Sequence, residues 1–262
     1  TDTVKKIIFL LLFALALVAF FMWRAPEGKP AWGVTFSQKH AETLGLDWKA
    51  AYLALLDDLG ARNLRIAVPW DLVEPKEGVF AFDKLDFQVN EAAKRGAKLI
   101  LAVGMKSPRW PECHIPAWAN DLTDAERENA AIGFSAAVAG RYKGNPAVVM
   151  WQAENEPFFP FGECPPISED FVGREIAALK AIDPARPVMT TDTGEWSLWI
   201  RAAKLGDVVG VTLYRKAYFP ALHTYLSFPF PPAYYRLRAL VIRQFFGKDV
   251  ISVEVQAEPW FR

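Results

Sequence analysis

Residues 148–157 read VVMWQAENEP, an apolar strand pattern that runs directly into Asn155, Glu156 and Pro157. A proline disfavours helical backbone at the residue before it, so we expect Pro157 to end the strand and to hold Glu156 extended. The pattern predicts a carboxyl side chain at the mouth of a strand, beside an amide donor. A solvated loop glutamate is the alternative, because the Glu-Pro dipeptide occurs twice more in the chain.

Short apolar runs recur on both sides of this stretch, and all but the last are followed by a helical pattern. Several runs are apolar on both faces, which is typical of buried parallel strands. The predicted strands are Trp32–Phe36, Asn63–Val68, Lys98–Val103, Ala147–Gln152, Val188–Thr191, Val208–Leu213 and Val250–Val255.

Helix start signals lie between the predicted strands. Asp47, Asp83 and Ser168 are suited to begin helices, and Thr123 with Glu126 forms a Thr-x-x-Glu capping box. Strands that alternate with helices in this way indicate a parallel α/β fold.

Two α/β architectures compete for this pattern. A doubly wound sheet would carry a Gly-rich nucleotide turn after the first strand, and the segment there, SQKHAETLG, has none. A (β/α)8 barrel places polar residues just after each strand, as this chain does repeatedly. We therefore predict a TIM barrel that lacks its eighth strand. We attribute the lack to a C-terminally truncated sequence, and a missed strand is the alternative.

The N-terminus carries a membrane signal. Ile7–Trp23 is a run of 17 apolar residues preceded by two lysines, and a helix of this length just reaches across a bilayer core. We predict a membrane anchor over 1–24, a linker over 25–30 and an extracytoplasmic catalytic domain over 31–262. A cleaved signal peptide is the alternative for the anchor.

The composition excludes several protein classes. A hydrophobic content of 52% excludes a disordered chain, and 30 basic against 30 acidic residues give none of the positive charge expected of a nucleic-acid binder. Two cysteines and three scattered histidines are too few for a zinc framework. We expect no metal, no cofactor and no nucleic-acid partner.

Two charged residues interrupt otherwise apolar strands. Glu254 lies within DVISVEVQ and Arg65 within NLRIAVPW. An unpaired buried carboxylate is costly, so Glu254 is expected to have a charged partner, a catalytic role, or both. Arg65 is the candidate partner, and an arginine that keeps Glu254 ionised also keeps it nucleophilic.

Two carboxyls at one barrel mouth suit retaining glycoside hydrolysis. That reaction needs one protonated and one ionised carboxyl about 5–5.5 Å apart. The chain resembles the cellulase-like (β/α)8 retaining glycoside hydrolases, the superfamily that includes glycoside hydrolase family 5, over about 32–260. The Asn-Glu-Pro motif carries the resemblance, and VEPKEGVF at 73–80 is also similar. The resemblance implies that Glu156 is the acid/base and that Asn155 donates to the sugar 2-hydroxyl.

The same resemblance assigns the residues around the second carboxyl. It makes Glu254 the nucleophile, places Arg65 beside it, and matches Tyr214 to an aromatic hydroxyl after strand 6. The last strand departs from the common Glu-Phe-Gly form, so Glu258 remains a rival nucleophile. The histidine usual after strand 3 is missing, and His114, further along the loop, is its possible substitute.

Aromatic residues and cysteines follow several of the predicted strands. Trp110 and Trp260 are candidates to pack against sugar rings, with ordinary packing as the alternative. Cys113 and Cys164 lie in loops that are neighbours in a barrel. They either pair in an oxidising compartment or remain free thiols.

The expected activity is cleavage of a β-linked oligosaccharide or polysaccharide by a membrane-anchored enzyme. A non-catalytic carbohydrate-binding barrel is the alternative, favoured by the missing strand and disfavoured by the presence of both glutamates. A sugar-phosphate barrel is a third candidate, but no Gly-rich phosphate turn is visible near its usual place.

Overall fold

The computed structural model describes residues 2–23, 30–219 and 223–256. Seven strands form one parallel sheet, in the chain order of the strands. They are β1 (Val34–Phe36), β2 (Asn63–Ala67), β3 (Lys98–Val103), β4 (Val148–Ala153), β5 (Val188–Thr193), β6 (Val208–Tyr214) and β9 (Asp249–Gln256). All seven predicted strands are confirmed, and their ends differ from the prediction by at most two residues.

One helix precedes the first strand, and the other helices lie in the connections between the strands. The helices are α1 (Asp2–Trp23), α2 (Gln38–Thr43), α3 (Trp48–Asp57), α4 (Trp70–Val73), α5 (Asp83–Lys94), α6 (Asp124–Tyr142), α7 (Glu169–Ile182), α8 (Ile200–Leu205) and α9 (Pro232–Phe246). Asp47 and Ser168 accept hydrogen bonds from the backbone N–H groups that begin α3 and α7. The predicted capping box of Thr123 and Glu126 is present at the start of α6.

A two-stranded antiparallel hairpin was not predicted from the sequence. It pairs β7 (Lys216–Phe219) with β8 (Thr224–Ser227). Each strand has only four residues, KAYF and TYLS, and neither sequence contains the longer apolar run by which the main strands are recognised.

The parallel sheet curls so that its two ends approach each other. The Thr35 hydroxyl on β1 donates a hydrogen bond to the Val253 carbonyl on β9, over 3.3 Å. Within the described ranges the sheet has seven strands, and β1 and β9 are its edges. The architecture is therefore a partial TIM barrel, as predicted.

The core lies between the strands and the surrounding helices. Trp70 and Trp151 are fully buried in it, and a buried indole needs a partner for its N–H. The Trp70 indole donates to Glu74 over 2.7 Å, and the Trp151 indole donates to Asp183 over 3.1 Å. A second, smaller cluster, which includes Trp199 and Ile242, packs β6 against α8 and α9.

The predicted membrane anchor is not supported. Residues 7–23 do fall within the helix α1. However, no helix in the described ranges combines the length and the hydropathy that crossing a bilayer requires. Of the predicted linker, residues 25–29 lie outside the described residues.

The capping box offers a test of the fold. Thr123→Ala removes the hydroxyl that accepts a hydrogen bond from the Glu126 N–H, so we expect a loss of about 1 kcal/mol in the free energy of unfolding. Urea denaturation of the full chain measures this loss. Thr43→Ala at the exposed end of α2 is the matched control and should change stability by less than about 0.5 kcal/mol. Equal effects of the two substitutions would show that the capping box adds nothing.

Candidate active site

Arg65 is the centre of a polar cluster at the carboxyl ends of the strands. The residue is 4% exposed, and its guanidinium donates to three acceptors from two other strands and the loop after β4. Nε donates to Gln152 over 2.7 Å, and Nη2 donates to the Asn155 side-chain oxygen over 2.5 Å. Nη1 donates to Glu254 over 2.5 Å, which confirms the predicted ion pair.

A bulge in β9 places Glu254 on the inner face of the sheet. Ser252 pairs with Val211, whereas Glu254 pairs with Thr212, so Val253 is one residue in excess. If Val253 instead paired regularly with Thr212, Glu254 would stand opposite Leu213 and its side chain would point to the other face of the sheet. The bulge therefore brings Glu254 beside the Thr212 side chain.

Glu254 is held in its ionised form. Burial alone would raise the pKa of Glu254, but the charge of Arg65 and hydrogen bonds from Tyr214 and Arg65 outweigh it and lower that pKa. The Tyr214 phenol donates to Oε2 and Arg65 donates to Oε1. Both carboxylate oxygens of Glu254 thus accept a hydrogen bond, as is typical of a stabilised carboxylate.

Glu156 is fixed by its backbone as well as by its side chain. Its N–H donates to the Thr191 hydroxyl over 2.8 Å, and its carbonyl accepts from the Lys106 ammonium over 3.0 Å. The φ angle of Glu156 is 44°, in the left-handed region. The extended backbone expected before Pro157 is therefore wrong, because contacts with distant residues override the local preference.

The environment of Glu156 favours its protonated form. Burial raises the pKa of Glu156 to about 7, and the charges of Glu254 and Glu112 act in the same direction. The Thr212 hydroxyl donates to Oε1 over 2.6 Å and partly offsets this rise. Glu156 and Glu254 lie close enough for one charge to act on the other, and their environments shift their pKa values in opposite directions.

A second buried carboxyl supports the loop that carries Glu156. Glu154 accepts hydrogen bonds from the Met105 N–H over 2.8 Å and the Lys106 N–H over 2.6 Å. These bonds fasten the loop after β3 to the end of β4. Glu175 lies behind Glu154 and accepts from the Ser135 hydroxyl over 2.6 Å. Burial raises the pKa of Glu175 well above its usual range, and the charge of Glu154 adds to this.

The structure places the other predicted residues in different surroundings. His114 is buried, and its Nδ1 lies 3.0 Å from the Lys39 ammonium rather than next to either glutamate. Burial and the Lys39 charge lower the pKa of His114 to about 4. Trp110 is 62% exposed and contacts Phe161 edge to face.

Two predicted candidates cannot be placed. Glu258, the rival nucleophile, and Trp260, a candidate sugar-binding aromatic, both lie outside the described residues. Within those residues, no three His, Cys, Asp or Glu side chains are grouped so as to hold a metal ion.

A disulfide joins the loops after β3 and β4. Cys113 and Cys164 are bonded, with their Cα atoms 5.2 Å apart. Of the two alternatives left by the sequence, the disulfide is the one observed.

Several residues of the cluster were not predicted. Gln152 and Thr212 are polar side chains inside apolar strands, and the signal that identified Arg65 and Glu254 would have found them. Glu112 lies in an irregular loop, yet its carboxylate accepts a hydrogen bond from the Asn155 amide over 2.8 Å. No sequence pattern marks that contact.

The chain is similar in sequence to known glycosidases. Residues 47–122 match glycoside hydrolase family 42, described as beta-galactosidase. A beta-galactosidase of Arthrobacter sp is 28% identical over 123 residues, which are 40% of this chain and 18% of that protein. Mannan endo-1,4-beta-mannosidase F of Aspergillus fumigatus is 25% identical over 130 residues, which are 45% of this chain and 28% of that protein.

The fold is similar to solved glycosidase structures. A GH5_18 protein of Streptomyces cattleya in complex with Manβ1-4GlcNAc superposes with a TM-score of 0.57 at 18% identity, over 71% of this chain and 52% of that one. The beta-galactosidase of Rahnella sp. R3 superposes with a TM-score of 0.56 at 15% identity, over 86% of this chain and 50% of that one.

These matches cover less than a third of each curated relative and about half of each solved structure. They agree with the partial barrel and with the resemblance carried by the Asn-Glu-Pro motif. The chain is therefore similar to glycoside hydrolase family 42 in part of its sequence, and to solved (β/α)8 glycosidases in its fold.

Proposed function

We propose that this chain hydrolyses a β-linked glycan with retention of anomeric configuration, using Glu156 and Glu254. The observation that carries the proposal is the opposite environment of two neighbouring carboxyls. Burial raises the pKa of Glu156 to about 7, whereas Arg65 and Tyr214 lower the pKa of Glu254 despite its burial. Near neutral pH this arrangement supplies one acid and one nucleophile, as double displacement requires.

In the first step the Glu254 carboxylate attacks the anomeric carbon of the glycone. The bond between that carbon and the glycosidic oxygen breaks, and Glu156 gives its proton to the departing oxygen. The product is a glycosyl ester of Glu254 and a free alcohol. Arg65 and Tyr214 hold the attacking carboxylate in place, and Asn155 donates to the sugar 2-hydroxyl.

In the second step Glu156, now ionised, takes a proton from water. The oxygen of that water attacks the anomeric carbon and displaces the Glu254 carboxylate, which regenerates both residues. Because Glu156 changes between its two protonation states in each cycle, a pKa near the working pH serves both steps.

The relatives support a β-glycoside as the substrate. Beta-galactosidases and mannosidases are among the proteins that the chain resembles. Trp110 is exposed near the loops of the barrel mouth and is proposed to pack against a sugar ring. We assign the catalytic role to residues 31–262.

The proposed location of this domain is extracytoplasmic. The disulfide between Cys113 and Cys164 supports it, since such bonds persist in oxidising compartments and are rare in reducing ones.

The acid/base role is tested by Glu156→Gln. The amide cannot exchange a proton with the leaving oxygen, so we expect turnover of 4-nitrophenyl β-glycosides to fall by about 10²- to 10⁴-fold. Steady-state kinetics with a panel of galactoside, glucoside and mannoside measures the fall, and circular dichroism checks the fold. Glu163→Gln, at an exposed position after β4, is the matched control. Near-normal turnover by Glu156→Gln would remove Glu156 from this role.

The nucleophile is identified by azide rescue of alanine variants. With Glu254→Ala, azide occupies the vacated space and attacks the anomeric carbon directly, so the product is an α-glycosyl azide. Glu258→Ala should keep normal activity in the presence of azide and should release the β-sugar rather than an α-glycosyl azide. Product configuration is determined by NMR, and rescue of Glu258→Ala in place of Glu254→Ala would transfer the role to Glu258.

The hydrogen bond from the Thr212 hydroxyl affects the pKa of Glu156. As a donor the hydroxyl stabilises the ionised form of Glu156, so Thr212→Val should raise the pKa of Glu156 further above about 7. The alkaline limb of the pH profile of kcat/KM then moves to higher pH. Thr193→Val, on the neighbouring strand, is the control and should leave that limb in place. A shift of the limb to lower pH would contradict this role of the hydroxyl.

A further inference from the structure

Glu112 is a third carboxyl in the candidate active site, and neither step of the mechanism uses it. It lies in the loop between β3 and α6, is 6% exposed, and touches the Asn155 amide. Burial, and to a lesser degree the charge of Glu254, raises the pKa of Glu112, and the charge of Glu112 adds to the burial that raises the pKa of Glu156. The Asn155 side chain bonds both Glu112 and Arg65, and Arg65 bonds Glu254, so Glu112 lies in the same polar cluster as the two other carboxyls.

The structure holds Glu112 in place through contacts with several segments. Its N–H donates to the Arg109 carbonyl and its carbonyl accepts from the Ser107 N–H, each over 2.8 Å. Its neighbour Cys113 is tied to Cys164 by the disulfide. The φ angle of Glu112 is 73°, a value that non-glycine residues adopt only when the surrounding contacts impose it.

Gly162 closes the space behind the Glu112 side chain. A Cβ added at Gly162 would lie 2.6 Å from the Cβ of Glu112 and 2.7 Å from the Pro111 carbonyl oxygen. The Glu112 side chain therefore cannot move back toward this loop, and its carboxyl is directed to Asn155.

The Glu112 carboxyl accepts fewer hydrogen bonds than a buried carboxyl with a purely structural role would need. Among the described residues, the Asn155 amide is its only hydrogen-bond donor, and it reaches one oxygen, Oε2. A buried carboxylate usually requires several donors to offset the loss of hydration. The charges of Lys106 and Arg65 offset part of this cost, and the charge of Glu254 adds to it. A ligand that brings hydroxyl donors would satisfy the carboxylate.

We propose that Glu112 is a specificity-determining residue, whose carboxylate accepts hydrogen bonds from the hydroxyls on C2 and C3 of the glycone. This inference rests on the proposed glycosidase function. The Asn155 amide nitrogen has two hydrogens. One is donated to Glu112, which leaves the other for the 2-hydroxyl. A sugar bound in this way has its C2 and C3 hydroxyls next to Glu112, the acceptor that vicinal hydroxyls need.

The test compares Glu112→Gln with wild type on matched substrates. The substrates are the 4-nitrophenyl β-glycoside that the wild type cleaves fastest and its 2-deoxy and 3-deoxy analogues. We expect kcat/KM for the parent glycoside to fall about 10- to 100-fold, the effect of losing a hydrogen bond to a charged group. For at least one deoxy analogue the fall should be less than about 3-fold, because the lost partner is already absent.

Two further variants separate recognition from folding. Glu163→Gln, in the neighbouring loop, should leave kcat/KM unchanged on every substrate. Glu112→Asp keeps the charge, suits the positive φ, and shortens the reach by one methylene, so it should also discriminate between parent and deoxy substrates. Equal losses on the parent and both analogues, or no loss on the parent, would overturn the proposal.

A binding measurement keeps this inference distinct from the proposed activity. If the wild type cleaves no β-glycoside, the proposed function fails, and saturation-transfer NMR with methyl β-galactopyranoside and methyl β-mannopyranoside then decides the role of Glu112. Signal at the C2 and C3 protons that weakens in Glu112→Gln supports recognition. Absence of binding to the wild type, or equal binding to both proteins, overturns it.

Discussion

The hydrogen bonds of the Arg65 guanidinium are the interaction on which the candidate site depends. A buried charge is tolerated only when its donors find acceptors, and Arg65 finds them in Gln152, Asn155 and Glu254. The planar fork of arginine serves three acceptors at once, which a lysine ammonium cannot do in the same geometry. These hydrogen bonds join β2 to β9 and to the end of β4. They therefore fix the Glu254 carboxylate in relation to the segment that carries Glu156.

The pKa values of Glu156 and Glu254 shift in opposite directions because their carboxyls accept hydrogen bonds from different donors, and not because their burial differs. Both are largely buried, and burial by itself raises the pKa of each. Glu254 accepts from a cation and a phenol, whereas the Glu156 carboxyl accepts from the neutral Thr212 hydroxyl and experiences two negative charges. Two residues of the same type thus acquire different chemistry from their neighbours.

The strands and the charged pair were predictable from the sequence, because strands buried on both faces are continuously apolar and a charge within them is conspicuous. Arg65 and Glu254 were found in this way. The bulge at Val253, the left-handed backbone of Glu156 and the contact of Glu112 with Asn155 were not. Each depends on residues far apart in sequence, and no local pattern encodes it. Four-residue strands such as β7 and β8 are too short to give this apolar signal.

The single excess residue in β9 constrains how this protein can diverge. Regular pairing of Val253 with Thr212 would move Glu254 opposite Leu213 and turn it outward, and no side-chain replacement elsewhere would compensate for this shift. The pairing register between Glu254 and Thr212 is therefore the feature of β9 that must be kept. Side chains elsewhere in β9 can change, whereas a shift of its register against β6 would separate Glu254 from Arg65 and Tyr214.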